Sequence, residues 1–392
     1  MNGNLAMTKP VYYAAIGPEL AVFDIDVDDA ALARRGAVTL PANVQYAWPH
    51  SSRRHLYVAS SNGGPRVAGD KHFASAFVID PATGDLQPHG EAAELPSRPI
   101  HLSVDRRGEY LLTAYNNPSQ ITVHRLNGDG SIGTPVMQPE KLDTGIYAHQ
   151  VLAAPSNRVA TLVTRGNDAQ PGKAEDPGAI KTFAFDNGML RNLASIAPGN
   201  GLGFGPRHLD FHPDKPWVFV SIERQNKLYV YELDAVSGVK REPLFIKDTL
   251  AKTPAMRQAA GAIHVHPSGK FVYVTNRASD LSRVGGKAAV VGGQNDVAVF
   301  SIDQNTGEPT LLQNADGRSI ELRTFGIDPT GRMLVAASIA PAPVRDADRI
   351  IDVPAALSVF RIGDDGKLAF VRKYDIDTGA ERQFWTGMVA LL

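Results

Sequence analysis

The chain has 392 residues, with 40 Lys and Arg against 41 Asp and Glu, and no cysteine. The balanced charge excludes a global field that would recruit nucleic acid or an anionic membrane, and the missing thiols exclude disulfides, thiolate nucleophiles and cysteine-based zinc sites. The N-terminal MNGNLAMTKPVYYAAIG lacks the basic segment, apolar run and cleavage site of a leader, and no later run is long enough to span a bilayer; a cytoplasmic protein is expected.

In chain order, residues 1–9 read as a flexible start. Val11 to Ile16 and Leu20 to Ile25 read as two short strands, with Ala37 to Leu40 as an outer strand beside them and no inner strand nearby. From Val44 a unit begins that the rest of the chain repeats: VQYAWPHSSRRHLYVASSNG, then PIHLSVDRRGEYLLTAYNNPSQITVHRL from Pro99, and AHQVLAAPSNRVATLVTRGND from Ala148. The fullest copy is GPRHLDFHPDKPWVFVSIERQNKLYVYEL from Gly205, followed by AIHVHPSGKFVYVTNRASD from Ala262 and RTFGIDPTGRMLVAAS from Arg323. Each copy alternates apolar and polar residues, is rich in β-branched and aromatic side chains, and is cut by Pro, Gly and Asp turns, so it reads as an antiparallel meander.

The first turns fall at Ser52, Arg106, Pro155, Pro213, Pro267 and Pro329. That spacing, about 50–60 residues, is the size of one four-stranded propeller blade. Six copies plus the split first unit make a seven-bladed, all-β propeller in which 1–392 is a single domain. The one strand left over, Phe384 to Leu391, is expected to close the ring as the innermost strand of blade 1, which removes exposed sheet edges.

Turns after the first and third strands are short. The connections after the second strand are long: Asn62 to Phe73, Gly166 to Ala179, Ser279 to Asp296 and Ile339 to Ala355. Antiparallel pairing puts all four on one rim, where loops can wall a pocket. The ends of the second strands on that rim carry Asn62, Asn116, Arg165, Glu223, Arg277 and Ile339, and the starts of the first strands carry Tyr46, Ile100, His149, Arg207, Gly261 and Arg323. Arginines, one carboxylate and one imidazole from four blades therefore converge near the axis. Such a cluster either staples the blades together or binds an anion beside a group that moves a proton, for which Glu223 and His149 are the candidates.

No GxSxG elbow or HExxH spacing is present, which disfavours acyl-enzyme and zinc-protease chemistry. The glycines of GNGLGFG precede a strand, which points to a loop at the channel mouth rather than a dinucleotide cradle. His101, His208, His264 and His266 lie at different depths on first strands and read as core histidines, so neither metal nor cofactor is expected. Trp48, Trp217 and Trp385 read as packing.

GPRHLDFHP with a Glu at the end of the next strand, together with AIHVHPSGKFVYVTNRAS and RTFGIDPTGRMLVAAS, resembles the lactonase family of seven-bladed propellers, which groups bacterial 6-phosphogluconolactonases with the fungal carboxymuconate lactonizing enzyme. The resemblance covers nearly the whole chain. It implies a lactonase, with His149, Arg207, Glu223 and Arg277 at the positions proposed as the active site of the carboxymuconate enzyme. It also matches Arg323 to an Arg of the phosphogluconolactonase-like members. Arg165, Asn116, His208 and Asn62 join Arg323 as expected substrate contacts. The loops Asn62 to Phe73 and Gly166 to Ala179 depart from the phosphogluconolactonase-like pattern.

The expected reaction is hydrolysis of a small anionic sugar-acid lactone, with Glu223 deprotonating water and His149 as the alternative base. The rival readings are a lactonizing cycloisomerase and a non-catalytic propeller that binds a ligand or protein. The partner expected is the lactone itself, with no nucleic acid and no membrane, and the chain a monomer or weak homo-oligomer.

Overall fold

The computed structural model describes residues 9–65, 67–253 and 256–392. Seven four-stranded antiparallel sheets surround an axis. Blade 5 shows how they form: Pro206–Phe211, Trp217–Ile222, Lys227–Asp234 and Gly238–Asp248 run from axis to periphery. The two inner strands are buried on both faces, while the outer one alternates towards solvent.

Ring closure follows the sequence expectation. Thr386–Ala390 pairs antiparallel with Pro10–Ile16 and is the innermost strand of blade 1. The outer strand of that blade, Ala31–Thr39, starts earlier than Ala37 because its edge residues are mostly exposed and carry no apolar alternation. Of residues 1–9, the first eight lie outside the described residues; Lys9 is tied in, its carbonyl accepting from Leu391 N at 2.9 Å.

The apolar core falls into seven clusters, each shared by two neighbouring blades. The closing interface between blades 7 and 1 buries Met333, Val335, Leu357 and Val359 against Tyr12, Phe23 and Ile25, as densely aromatic and aliphatic as the others. Trp217 and Trp385 are buried within this packing, and Trp48 is half-buried.

On the rim opposite the long loops, polar staples repeat. His50, His212 and His266 each donate from Nε2 to the carbonyl of Gly108, Gly269 or Gly331 in the first turn of the next blade, at 3.0, 3.0 and 2.8 Å. Tyr13, Tyr57 and Tyr273 donate to Gly84, Gly130 and Gly366 in the next blade's outer turn.

An eighth sheet was not foreseen. The long connections expected to wall a pocket in blades 6 and 7 are hairpins, Leu281–Val284 with Lys287–Val290 and Ala342–Asp346 with Arg349–Val353, which meet in parallel at Val290 and Val344. Each strand is too short to show a period, and only the Gly285-Gly286 turn, with φ of 56° and 83°, is a hairpin signal. Among the described residues no helix is long and apolar enough to cross a membrane.

Candidate active site

The site is built by an irregularity that recurs in the inner strands. In blades 2 to 7 the pairing of first and second strands slips by a bulge near the loop-bearing rim, leaving Gln45, Ile100, His149, Arg207, the Gly261-Ala262 pair and Arg323 out of register. A bulge re-aims the side chain of the extra residue. It thereby presents His149, Arg207 and Arg323 together at the mouth. In blade 2 the bulged residue is Gln45, one before the expected Tyr46, whose ring instead stacks deeper in the axis, 4.1 Å from that of His101.

Glu223, just past the second strand of blade 5, occupies the centre of this mouth. Its Oε1 accepts from Arg165 Nε at 2.7 Å, and its Oε2 accepts from Arg207 Nη1 at 2.9 Å and Arg277 Nη2 at 3.1 Å. The donors come from blades 4, 5 and 6, and all four side chains are buried. Burial alone would raise the Glu223 pKa; Arg277, Arg207 and Arg165 outweigh it and hold the carboxyl well below its ordinary range.

A second carboxylate, Asp168 in the loop 166–179, binds Arg165 Nη2, Arg224 Nε and Arg257 Nη2 at 2.8, 3.0 and 2.8 Å. That loop is therefore clamped across blades 4, 5 and 6 by charge.

His149 lies beside the arginines and is 3 % exposed. Burial, then the positive charges of Arg207, Arg323 and Arg165, push its pKa well below the ordinary imidazole value, so it is neutral at neutral pH. Among the described residues its Nδ1 has no hydrogen-bond partner. Arg323 differs from its neighbours: among the described residues it makes no ion pair within 4 Å. Its guanidinium sits over the Phe384 ring at 5.6 Å, as does that of Arg98 at 5.5 Å. Burial and the charge of Arg277 bring its pKa down to about 10, which still leaves it protonated at neutral pH. Among the described residues no group of three His, Asp or Glu side chains is arranged to hold a metal ion.

Residues 10–340 match the family model described as lactonase, 7-bladed beta-propeller. The chain belongs to the lactonase family. Within that family it is 28 % identical to the 6-phosphogluconolactonase of Bacillus subtilis over 322 residues, covering 81 % of this chain and 83 % of that protein. It is 24 % identical to the 6-phosphogluconolactonase of Serratia proteamaculans over 392 residues, 97 % and 99 % of the two chains. The solved periplasmic gluconolactonase of Pseudomonas aeruginosa shares the fold with a TM-score of 0.74 at 19 % identity, over 98 % of this chain and 100 % of that one.

Of the residues singled out in this lactonase-family chain, the structure brings Glu223, His149, Arg207, Arg277, Arg165 and Arg323 to one mouth. His208 sits one layer deeper, its ring 5.0 Å from that of His149. Asn62 and Asn116 are not drawn in. Asn62 is exposed and organises its own loop, accepting from the backbone of Asp70 and Lys71 at 3.0 Å. Asn116 ends its strand at the rim, half-buried and paired with Ser119.

Three contributors were missed. Arg98 and Phe384 lie in connections outside the repeat register, where counting from turns cannot find them. Tyr147 stands just before an inner strand with φ of 61°, a conformation unfavourable for a bulky residue. Its ring is near-parallel to His149 and under the Arg165 guanidinium at 5.6 Å.

Proposed function

We propose that the protein hydrolyses the ester of a small anionic sugar lactone, with 6-phosphogluconolactone the substrate suggested by its relatives. The observation that carries this reading is Arg323, a guanidinium at the mouth that makes no ion pair among the described residues, beside a trio of arginines that share the single carboxylate of Glu223. A part-buried cation left unpaired is unfavourable unless an anion completes it. A guanidinium offers the planar donor pair that suits phosphate or carboxylate.

The geometry favours His149 over Glu223 as the base. Glu223 accepts three charge-assisted bonds and has a depressed pKa, so it holds a proton poorly and orients the arginines instead. His149 is neutral, with a free nitrogen lone pair. An anionic group docked on Arg323 offsets the positive field on His149, so its basicity rises when substrate is bound. His149 then takes a proton as water adds to the lactone carbonyl, and Arg207 or Arg277 stabilises the oxyanion.

A substrate panel of 6-phosphogluconolactone, gluconolactone and carboxymuconate tests this. His149→Gln should lower kcat on the lactone by about 10²- to 10⁴-fold. Arg323→Met should raise KM for the phosphorylated lactone more than it lowers kcat, and should affect the unphosphorylated one less. Turnover of carboxymuconate alone would replace hydrolysis by lactonization.

A further inference from the structure

Lactone hydrolysis at neutral pH has a proton to dispose of. Water adds to the carbonyl carbon, the ring C–O bond breaks, one water proton ends on the new hydroxyl, and the acid formed ionises to carboxylate and H⁺. At the mouth that proton faces Arg165, Arg207, Arg277 and Arg323, four cations that oppose its escape. The axis beneath offers another way.

The residue that follows the bulge in blades 2, 3 and 5 is Tyr46, His101 and His208 respectively, and the three form a layer under His149. Ring centroids are 5.0 Å apart from His149 to His208 and 6.3 Å from His208 to His101, with no direct bond between the rings and separations that one water could bridge. Deeper still, Asp210 Oδ2 and His264 Nδ1 are 3.7 Å apart, with side chains 29 % and 36 % exposed. His101 is fully buried, and among the described residues neither of its ring nitrogens has a partner; nor has His149 Nδ1. A buried imidazole carries at least one N–H and one lone pair or second N–H, and such groups are satisfied by ordered water when no protein group serves. The same layer is polar in other blades too: the residue after the bulge is Gln150 in blade 4 and Thr324 in blade 7, both buried.

We propose that His208 and His101, bridged by ordered water, relay the proton from His149 down the propeller axis to the Asp210–His264 pair and out on the side away from the substrate. The proposal rests on the reading of His149 as base. Each imidazole can accept at one nitrogen and donate from the other, and burial keeps all three neutral between transfers. The groups facing this column are Tyr46 beside His101, Arg207 and Arg323 above, and Asp210 and His264 below.

The test compares two rates in a single turnover of 6-phosphogluconolactone in weakly buffered solution: ring opening by rapid quench, and proton appearance with an indicator dye. In the wild type the two should coincide. In His101→Phe, which fills the same space without nitrogens, the ratio of proton release to ring opening should fall about tenfold, and added imidazole should restore it. Asp210→Asn, at the part-exposed lower end where folding is less at risk, should lower the same ratio. Equal rates in both variants would overturn the relay. Failure of the underlying reading looks different: a wild type that opens no lactone, or a His149→Gln variant that opens it normally.

Discussion

Glu223 is held by three guanidiniums, and this makes it a structural keystone of the mouth as well as part of its chemistry. Glu223→Gln removes the charge that Arg165, Arg207 and Arg277 share. Breaking a buried ion pair by neutralising one partner costs about 3–5 kcal/mol. The expected outcome is a large fall in the denaturation midpoint, whereas His149→Gln should leave the midpoint nearly in place while kcat falls; an unmoved midpoint in Glu223→Gln would hand the base role back to the carboxylate. The pH dependence of kcat/KM separates them further. Activity requires neutral His149, whose pKa in the free protein is depressed, so the acid limb should lie well below the ordinary imidazole value of about 6.5. A limb at or above that value would contradict the assignment. Most of this cluster was legible because a repeat gives every blade a common register, so Arg207, Glu223 and Arg277 could be placed by counting. The bulge that re-aims His149, Arg207 and Arg323 was not legible, since an inserted residue looks like any other in an alternating strand; hence the one-residue error at Tyr46. Asn62 failed for the opposite reason: its register was right, but its side chain is used up within its own loop.

At the level of the element, the HPxx turns explain why the blades repeat so faithfully. His212 Nδ1 accepts from the backbone N–H of Asp214 and Lys215 at 3.1 and 3.0 Å, which shapes the turn, while Nε2–H reaches the carbonyl of Gly269 in blade 6. One neutral ring thus ties the first turn of one blade to the first turn of the next. Gly269 is fitted to this role: its φ is 71°, and a Cβ there would stand 2.5 Å from the imidazole. His212→Ala should lower stability by about 1–3 kcal/mol through the unsatisfied backbone groups it leaves. Because this staple is on the rim opposite Glu223, kcat/KM measured on the same sample should stay near wild type. A comparable loss in both quantities would mean that the two rims are coupled. The turn motif was visible in the sequence; its partner in the following blade was not, because nothing local marks a carbonyl about fifty residues away.

At the scale of the whole molecule, the ring survives only if all seven interfaces hold together, and buried or half-buried imidazoles bear on several of them. His55, His72, His101, His124, His149, His208 and His212 all have pKa values lowered in the folded chain, burial being the largest cause in each. A histidine lowered in this way binds fewer protons folded than unfolded, so stability rises with pH across the interval between the two values. The stabilisation is complete above about 6.5, the unfolded value, and is lost as the pH falls from there through each depressed folded value. Glu223 adds a further loss at lower pH, since its own folded value lies well below the ordinary carboxylate range. The melting temperature should therefore hold steady above neutrality and fall continuously as the pH is lowered from about 7 to 5. The fall should be cooperative, because the C-terminal strand and the N-terminal strand share blade 1 and neither blade 7 nor blade 1 can release its packing without opening the circle. A thermal scan series across that pH range decides it: a flat profile, or one that rises towards acid, would mean that the buried imidazoles keep solvent or hydrogen-bond partners that hold their protonation the same in the folded and unfolded chain.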